Sequence, residues 1–202
     1  MTQARPEALK AALRRHLELL RRWNDRIDLV APGDDARWWD VHFEDSLAAL
    51  RGVPDRARTV LDVGAGAGFP GLVWAMARGD LQVTLTEPRG RRATFLRTVA
   101  RETGADVEVL TERAEALSPR RWDVVVGRAV APYARWLALA APLVSEAGVV
   151  LALLGPTEPD GWGVAEAEAG LVVEGHEAYV LPGGGAHRRV VVLRPAGPGE
   201  VQ

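Results

Sequence analysis

The sequence predicts an α/β fold: a mostly parallel, seven-stranded, Rossmann-like sheet with an antiparallel C-terminal hairpin and an N-terminal helical extension. Three observations predict it. From residue 59 onward, short β-branched runs alternate with segments of helical periodicity, the pattern of a parallel sheet covered on both faces. The first run, Thr59-Val60-Leu61-Asp62-Val63, passes straight into the glycine-rich turn Gly64-Ala65-Gly66-Ala67-Gly68-Phe69. The last two runs flank Pro182-Gly183-Gly184-Gly185, too close together for a crossover helix, and so pair as an antiparallel hairpin.

Along the chain, residues 6–23 read as an amphipathic helix. Leu9, Leu13, Leu17 and Leu20 recur at helical spacing, and Arg14, Arg15, Arg21 and Arg22 lie off that stripe. Pro32-Gly33-Asp34-Asp35 breaks the chain and offers cap residues for a second helix over 36–50. Strands are expected over 59–63, 81–87, 107–110, 123–126, 148–154, 171–181 and 189–193. Helices are expected between them over 71–77, 91–103, 132–143 and 162–169; Phe95, Leu96 and Val99 give the second an inward face. The chain thus divides into an extension (1–55), a ligand-binding domain (56–195) and a tail (196–202).

Composition narrows the classes. Hydrophobic residues at 48% and charged residues at 26% suit a globular protein able to bury its own core. The absence of cysteine excludes disulfides, a thiolate zinc site and a cysteine nucleophile, and suits a reducing compartment. No apolar segment follows the opening Met-Thr-Gln-Ala-Arg-Pro-Glu, and no run is long enough to span a bilayer, so a cytoplasmic, membrane-free location is expected. The net charge of −2 argues against a strongly basic nucleic-acid binder. Lys10 is the only lysine; arginine carries the remaining basic charge, as GC-rich coding favours, and its fork suits phosphate and carboxylate. Composition therefore neither requires nor forbids an RNA substrate.

The glycine turn carries the chemistry. Glycine adopts positive φ without steric cost and lets a ligand approach the backbone. Such turns, at the carboxyl ends of strands, bind nucleotide-like ligands. The spacing is G-x-G-x-G followed by Phe69-Pro70-Gly71, not the G-x-G-x-x-G of dinucleotide sites. Asp62, two residues before the first glycine, is placed to orient the turn and face a cationic ligand. Glu87, ending the second strand, is placed to accept ribose hydroxyls, which a dinucleotide would also offer. Asp62, Gly64, Gly66, Gly68 and Glu87 together favour S-adenosylmethionine as cofactor, and the architecture is that of class I methyltransferases. A methyltransferase acting on a small molecule or protein, or a Rossmann-like module without catalytic activity, would share these features.

Four segments narrow the reading further. Trp23-Asn24 through Asp28-Leu29, His42-Phe43-Glu44-Asp45-Ser46-Leu47, the whole of Asp62 to Gly71, and Arg128-Ala129-Val130-Ala131 resemble motifs of the bacterial 16S rRNA (guanine-N7) methyltransferases, also called glucose-inhibited division protein B. The resemblance covers nearly the whole chain. It implies methyl transfer to N7 of a guanine in 16S rRNA of the small ribosomal subunit, by a monomer without metal. It also implies that Gly64, Phe69, Ala114, Glu115 and Arg128 contact S-adenosylmethionine. No catalytic acid or base is required, because N7 already holds a lone pair. Asp28, Val30 and Leu154 depart from the family pattern, Leu154 standing where a lysine is frequent. His42, Asp45 and Ser46 share a helix face at i, i+3 and i+4. They are too close in sequence for a hydrolase triad and are read as a structural hydrogen-bond cluster or a wall of the cleft. With Arg91 and Arg92, at the mouth of the helix after the second strand, they are the candidate RNA-facing residues; the N-terminal arginines form a second basic group.

Overall fold

The computed structural model describes residues 4–31, 37–182 and 185–200. Its centre is a seven-stranded sheet in the order β3-β2-β1-β4-β5-β7-β6. Strands β1 (Thr59–Val63), β2 (Gln82–Thr86), β3 (Val107–Leu110), β4 (Trp122–Gly127) and β5 (Val144–Leu154) run parallel to one another. Strand β7 (His187–Pro195) runs antiparallel between β5 and β6 (Leu171–Val180). The sequence showed the hairpin but not that its second strand is the one inserted beside β5. Inversion of β7 brings its first residues, not its last, to the carboxyl edge of the parallel strands. Arg189 accordingly pairs with Leu154 at the end of β5.

Strand alternation divides the core between two faces. Val60, Val83, Leu85, Val124, Val126, Leu151 and Val190 pack beneath helices α1 (Ala4–Asn24), α3 (Gly71–Ala77) and α4 (Gly90–Thr103). Leu61, Val125, Val150, Val191 and Leu193 pack against α5 (Tyr133–Ala140) and α6 (Val164–Glu168). Leu13, Leu19, Leu20 and Phe43 belong to the first of these cores, so the described part of the N-terminal segment shares a core with the sheet. Asn24 ends α1, and its Oδ1 accepts from the N–H groups of both Leu29 and Val30, turning the chain back. Among the described residues no helix is long and apolar enough to cross a membrane.

The helix expected over 36–50 is not uniform. Its proposed cap, Pro32 to Asp35, and residue Ala36 lie outside the described residues. Trp39–Glu44 forms a π-helical turn, followed by α2 (Asp45–Ala49) and a 3₁₀ turn at Leu50–Gly52. The wider turn sets residues five apart over one another, and Trp39 Nε1 donates to Glu44 Oε1 at 2.8 Å. It also seats Phe43, fully buried, between Trp39 and Phe69. Likewise the helix expected over 132–143 stops at Ala140, and Ala141–Leu143 tightens into a 3₁₀ turn around Pro142, which has no N–H to continue the ladder.

Candidate functional site: a glycine-floored cleft with an arginine wall

Strand β1 ends on Val63, and the chain turns through Gly64 and Gly66 at φ of 65° and 54°, a region that L side chains rarely enter. Asp62, fully buried, ties the turn down: its Oδ2 accepts the N–H of Gly71 at 2.8 Å. A Cβ on Gly71 would lie 2.5 Å from Leu85 Cδ2 and 2.7 Å from that same Oδ2, so only glycine fits there. Asp62 Oδ1 is buried with no hydrogen-bond partner among the described residues. Burial pushes the Asp62 carboxyl up to about 7, against the opposing pull of the Gly71 N–H and Arg128. Glu87, also buried, braces the turn from the end of β2; Oε2 accepts the Gly66 N–H at 3.2 Å and Oε1 the Arg89 N–H at 2.9 Å.

Above this floor opens a cleft of about 580 Å³, at the carboxyl ends of the parallel strands. Gly64, Gly66 and Phe69 line it, with His42, Asp45, Arg92 and Arg128. The structure thus brings together seven of the residues singled out from sequence. Asp62 and Glu87 stand behind the turn. Gly68 is directed at Leu72, with a Cβ position 2.5 Å from Leu72 Cδ1, and is not part of the wall. Ala114 is buried in the core of the opposite sheet face and Glu115 is exposed on the same 3₁₀ turn, Ala114–Leu117; neither lines this cleft. Ser46 is buried, its hydroxyl donating to the His42 carbonyl at 2.5 Å, while its own carbonyl accepts from Trp74 Nε1. Ser46 thus faces the core beside the wall that His42 and Asp45 form and does not line the cleft itself. Arg91 and Arg92, adjacent in sequence, part company: Arg92 donates to the Asp28 carbonyl inside the cleft, and Arg91 lies in a separate surface depression with Arg22, Trp23, Asp25 and Arg26.

Arg128 organises the wall. Its guanidinium lies 5.1 Å over the Phe69 ring, and Nη2 bonds His42 Nδ1 at 2.9 Å. Nη1 donates to the Val41 carbonyl at 3.1 Å and to Asp45 Oδ2 at 3.3 Å. The arginine is therefore both a cleft residue and one partner of a buried ion pair. Ala129, immediately after it, sits at φ 55°, a strained conformation that bends the chain away from β4.

Residues not anticipated from sequence complete the site. His16 of α1 stacks on Phe69 at 5.0 Å, as His42 does at 5.0 Å, and its Nε2 donates to the Ala67 carbonyl at 2.8 Å. The polar, fully buried His16 sat inside an apparently ordinary amphipathic helix, which disguised it. Arg188 lines the cleft from the start of β7, and Tyr179 of β6 reaches Asp45 behind it. Neither belonged to a motif.

Burial pushes His16 down to about 4; burial together with the Arg128 charge pushes His42 to about the same value. Each ring takes up a proton on unfolding between about pH 4 and its ordinary value of 6.5, so stability falls with acidification through that window. Asp62 works oppositely, because its raised value keeps a proton in the folded state between 3.8 and about 7. Two histidines against one carboxyl leave acid destabilisation, at most about 1.4 kcal/mol per pH unit for one net proton. Urea unfolding at pH 7, 5.5 and 4.5 should show it; a flat profile would contradict the burial of the two rings.

The strand order, the glycine turn after β1 and the cleft above it define a methyltransferase of the class I, Rossmann-like fold. Among solved structures the chain is similar to a TehB-like SAM-dependent methyltransferase from Corynebacterium glutamicum, with a TM-score of 0.54 at 18% identity over 77% of this chain and 89% of that one. Likeness at that identity speaks for the fold alone. Residues 9–192 match the rRNA small subunit methyltransferase G family, and the chain belongs to that family. Ribosomal RNA small subunit methyltransferase G of Paramagnetospirillum magneticum is 37% identical over 190 residues, 94% of this chain and 90% of that protein. The protein of the same name from Gluconobacter oxydans is 43% identical over 143 residues, 71% of this chain and 73% of that protein.

Proposed function

We propose that the chain binds S-adenosylmethionine in the glycine-floored cleft and transfers its methyl group to N7 of a guanine in 16S rRNA. The observation that carries the cofactor reading is the floor: positive-φ glycines that admit a ligand to the backbone, with the orphaned Asp62 Oδ1 beneath them. The cleft volume of about 580 Å³ suits a ligand of nucleoside size. When bound, the cofactor supplies an electrophilic methyl group on a sulfonium. Gly64 and Gly66 let its chain lie against the backbone, and Phe69 and Arg128 flank it. Asp62, its carboxyl raised to about 7 by burial, would present negative charge to its cationic end once deprotonated. Glu87 retains acceptor capacity for ribose hydroxyls, since each of its oxygens makes one hydrogen bond. The same reading assigns Ala114 and Glu115, on the 3₁₀ turn that follows β3, to the adenine end of the cofactor.

The acceptor reading rests on family membership and on the arginines at the cleft. Neutral guanine presents N7 with a free lone pair, so no residue has to remove a proton first. The chain's contribution is then to hold the base in line with the methyl group and exclude water. The base has to leave its stack to reach the cleft. The protein works as a monomer in the cytoplasm on this reading. Labelled methyl donor offered with 30S subunits, naked 16S rRNA and small acceptors tests it. Label in 16S rRNA, mapped to one guanine N7, is expected; methylation at another atom, or only of small acceptors, would sink the rRNA reading.

A further inference from the structure

The cleft carries more positive charge than the methyl donor balances. Arg92, Arg128 and Arg188 face a single wall carboxylate, Asp45. S-adenosylmethionine brings a sulfonium, an ammonium and one carboxylate, so it adds to the excess. The acids that could offset it, Asp62 and Glu87, lie behind the glycine turn on the β1–β2 side.

Arg188 stands on the other side. Between β1 and β7 lie β4 and β5, which at ~4.8 Å per strand places β7 about 14 Å from the turn. Because β7 is inverted, its second residue still opens onto the carboxyl edge of the sheet. Strand alternation separates Arg188 from its neighbour: Arg189 turns to the opposite face, donates to the Pro156 carbonyl and stands over Trp162.

The side chain is held in place. Asp45, 4% exposed, engages Arg128 through Oδ2; its Oδ1 accepts from the Tyr179 hydroxyl at 2.9 Å and lies 3.7 Å from Arg188 Nε. Tyr179 is the cross-strand partner of Arg188 in the β6–β7 ladder, so both reach the same carboxylate from one register position. One buried carboxylate therefore aligns two guanidiniums side by side. Arg188 Nη1 donates to the His187 carbonyl, and its Nη2 has no hydrogen-bond partner among the described residues. A pre-oriented fork with free donors at an electropositive wall matches a phosphate oxygen pair.

Resting on the rRNA reading above, we propose that Arg188, aligned with Arg128 by Asp45, binds a phosphodiester of the RNA beside the guanine that accepts the methyl group. Asp45 and Tyr179 are positioning residues for that contact.

The full-length protein, the RNA acceptor it methylates and a salt series test this, with S-adenosylhomocysteine affinity measured in parallel by calorimetry. Arg188→Ala is expected to raise KM for the RNA about tenfold and to lower the slope of log KM against log salt by about one. Affinity for S-adenosylhomocysteine should stay within about twofold, which also reports that the cleft is intact. Arg188→Lys should recover much of the salt slope but only part of the KM, because it restores charge without the fork. Arg189→Ala should leave KM within about twofold. Loss of S-adenosylhomocysteine affinity with unchanged KM would overturn the proposal and give the arginine to the donor's carboxylate. An unchanged KM and salt slope, or equal effects of Arg188→Ala and Arg189→Ala, would overturn it as well. A wild-type protein that fails to methylate 16S rRNA removes the substrate reading itself, and this contact with it, before any variant is compared.

Discussion

Gly64→Val is expected to abolish binding of S-adenosylhomocysteine, lowering affinity at least a hundredfold. Gly64 sits at φ 65° in the turn that leaves β1. A Cβ there meets only Val130 methyls at 3.5 and 3.9 Å, so space is not the obstacle. Backbone conformation is. The left-handed region costs an L residue roughly 1–2 kcal/mol, and a β-branched side chain is a genuine outlier there. The turn relieves that cost by leaving its conformation, and its shift moves Ala65 and Gly66, whose N–H groups bond the Thr86 carbonyl and Glu87. The valine methyl groups also intrude into the space that a ligand backbone contact would use. Gly64→Ala meets the conformational cost without the branch and should lose less. Calorimetry against S-adenosylhomocysteine separates the cases, and wild-type affinity in Gly64→Val would contradict the placement of the cofactor on this turn.

Asp45→Ala is expected to destabilise the fold by about 3 kcal/mol, in the range found when one partner of a buried ion pair is removed. The carboxylate is 4% exposed and holds three donors from three elements: Arg128 after β4, Tyr179 on β6 and Arg188 on β7. Alanine leaves two guanidiniums facing each other without their shared anion, and the Tyr179 hydroxyl without its acceptor. Partial exposure of Arg188 keeps the loss at the lower end of that range. Asp45→Asn keeps an acceptor for the hydroxyl and removes the charge, so it should fall between. Urea unfolding gives the comparison, and a loss under about 1 kcal/mol for the alanine variant would mean that the arginines find other partners.

The sheet, its seven strands and the glycine turn were legible because each rests on local pattern. Strand period, helical period and glycine punctuation are written in consecutive residues, and β1, α3 and β3 occupy the segments expected of them. Departures occur where packing overrides periodicity. Around Trp39–Glu44, where Phe43 is buried against Phe69 and His16, the helix takes a π turn, and Ser46 is buried with its hydroxyl on the His42 carbonyl and its carbonyl on Trp74 rather than lining the cleft with His42 and Asp45. At Arg91 and Arg92, one residue of helical rotation, about 100°, sends adjacent arginines to different depressions.

By itself, then, the sequence determined the α/β class, the glycine turn with Asp62 and Glu87 around it, and the arginine that follows β4. Tertiary structure decided the composition of the cleft's far wall. Only the insertion of β7 between β5 and β6 brings Arg188 to the carboxyl edge, and only the fold joins Asp45, Tyr179 and Arg188 across separations of 134 and 143 positions. Local patterns report which face of an element is apolar. They carry no record of which distant segment an element will pair with, because that is set by strand order and register across the whole sheet.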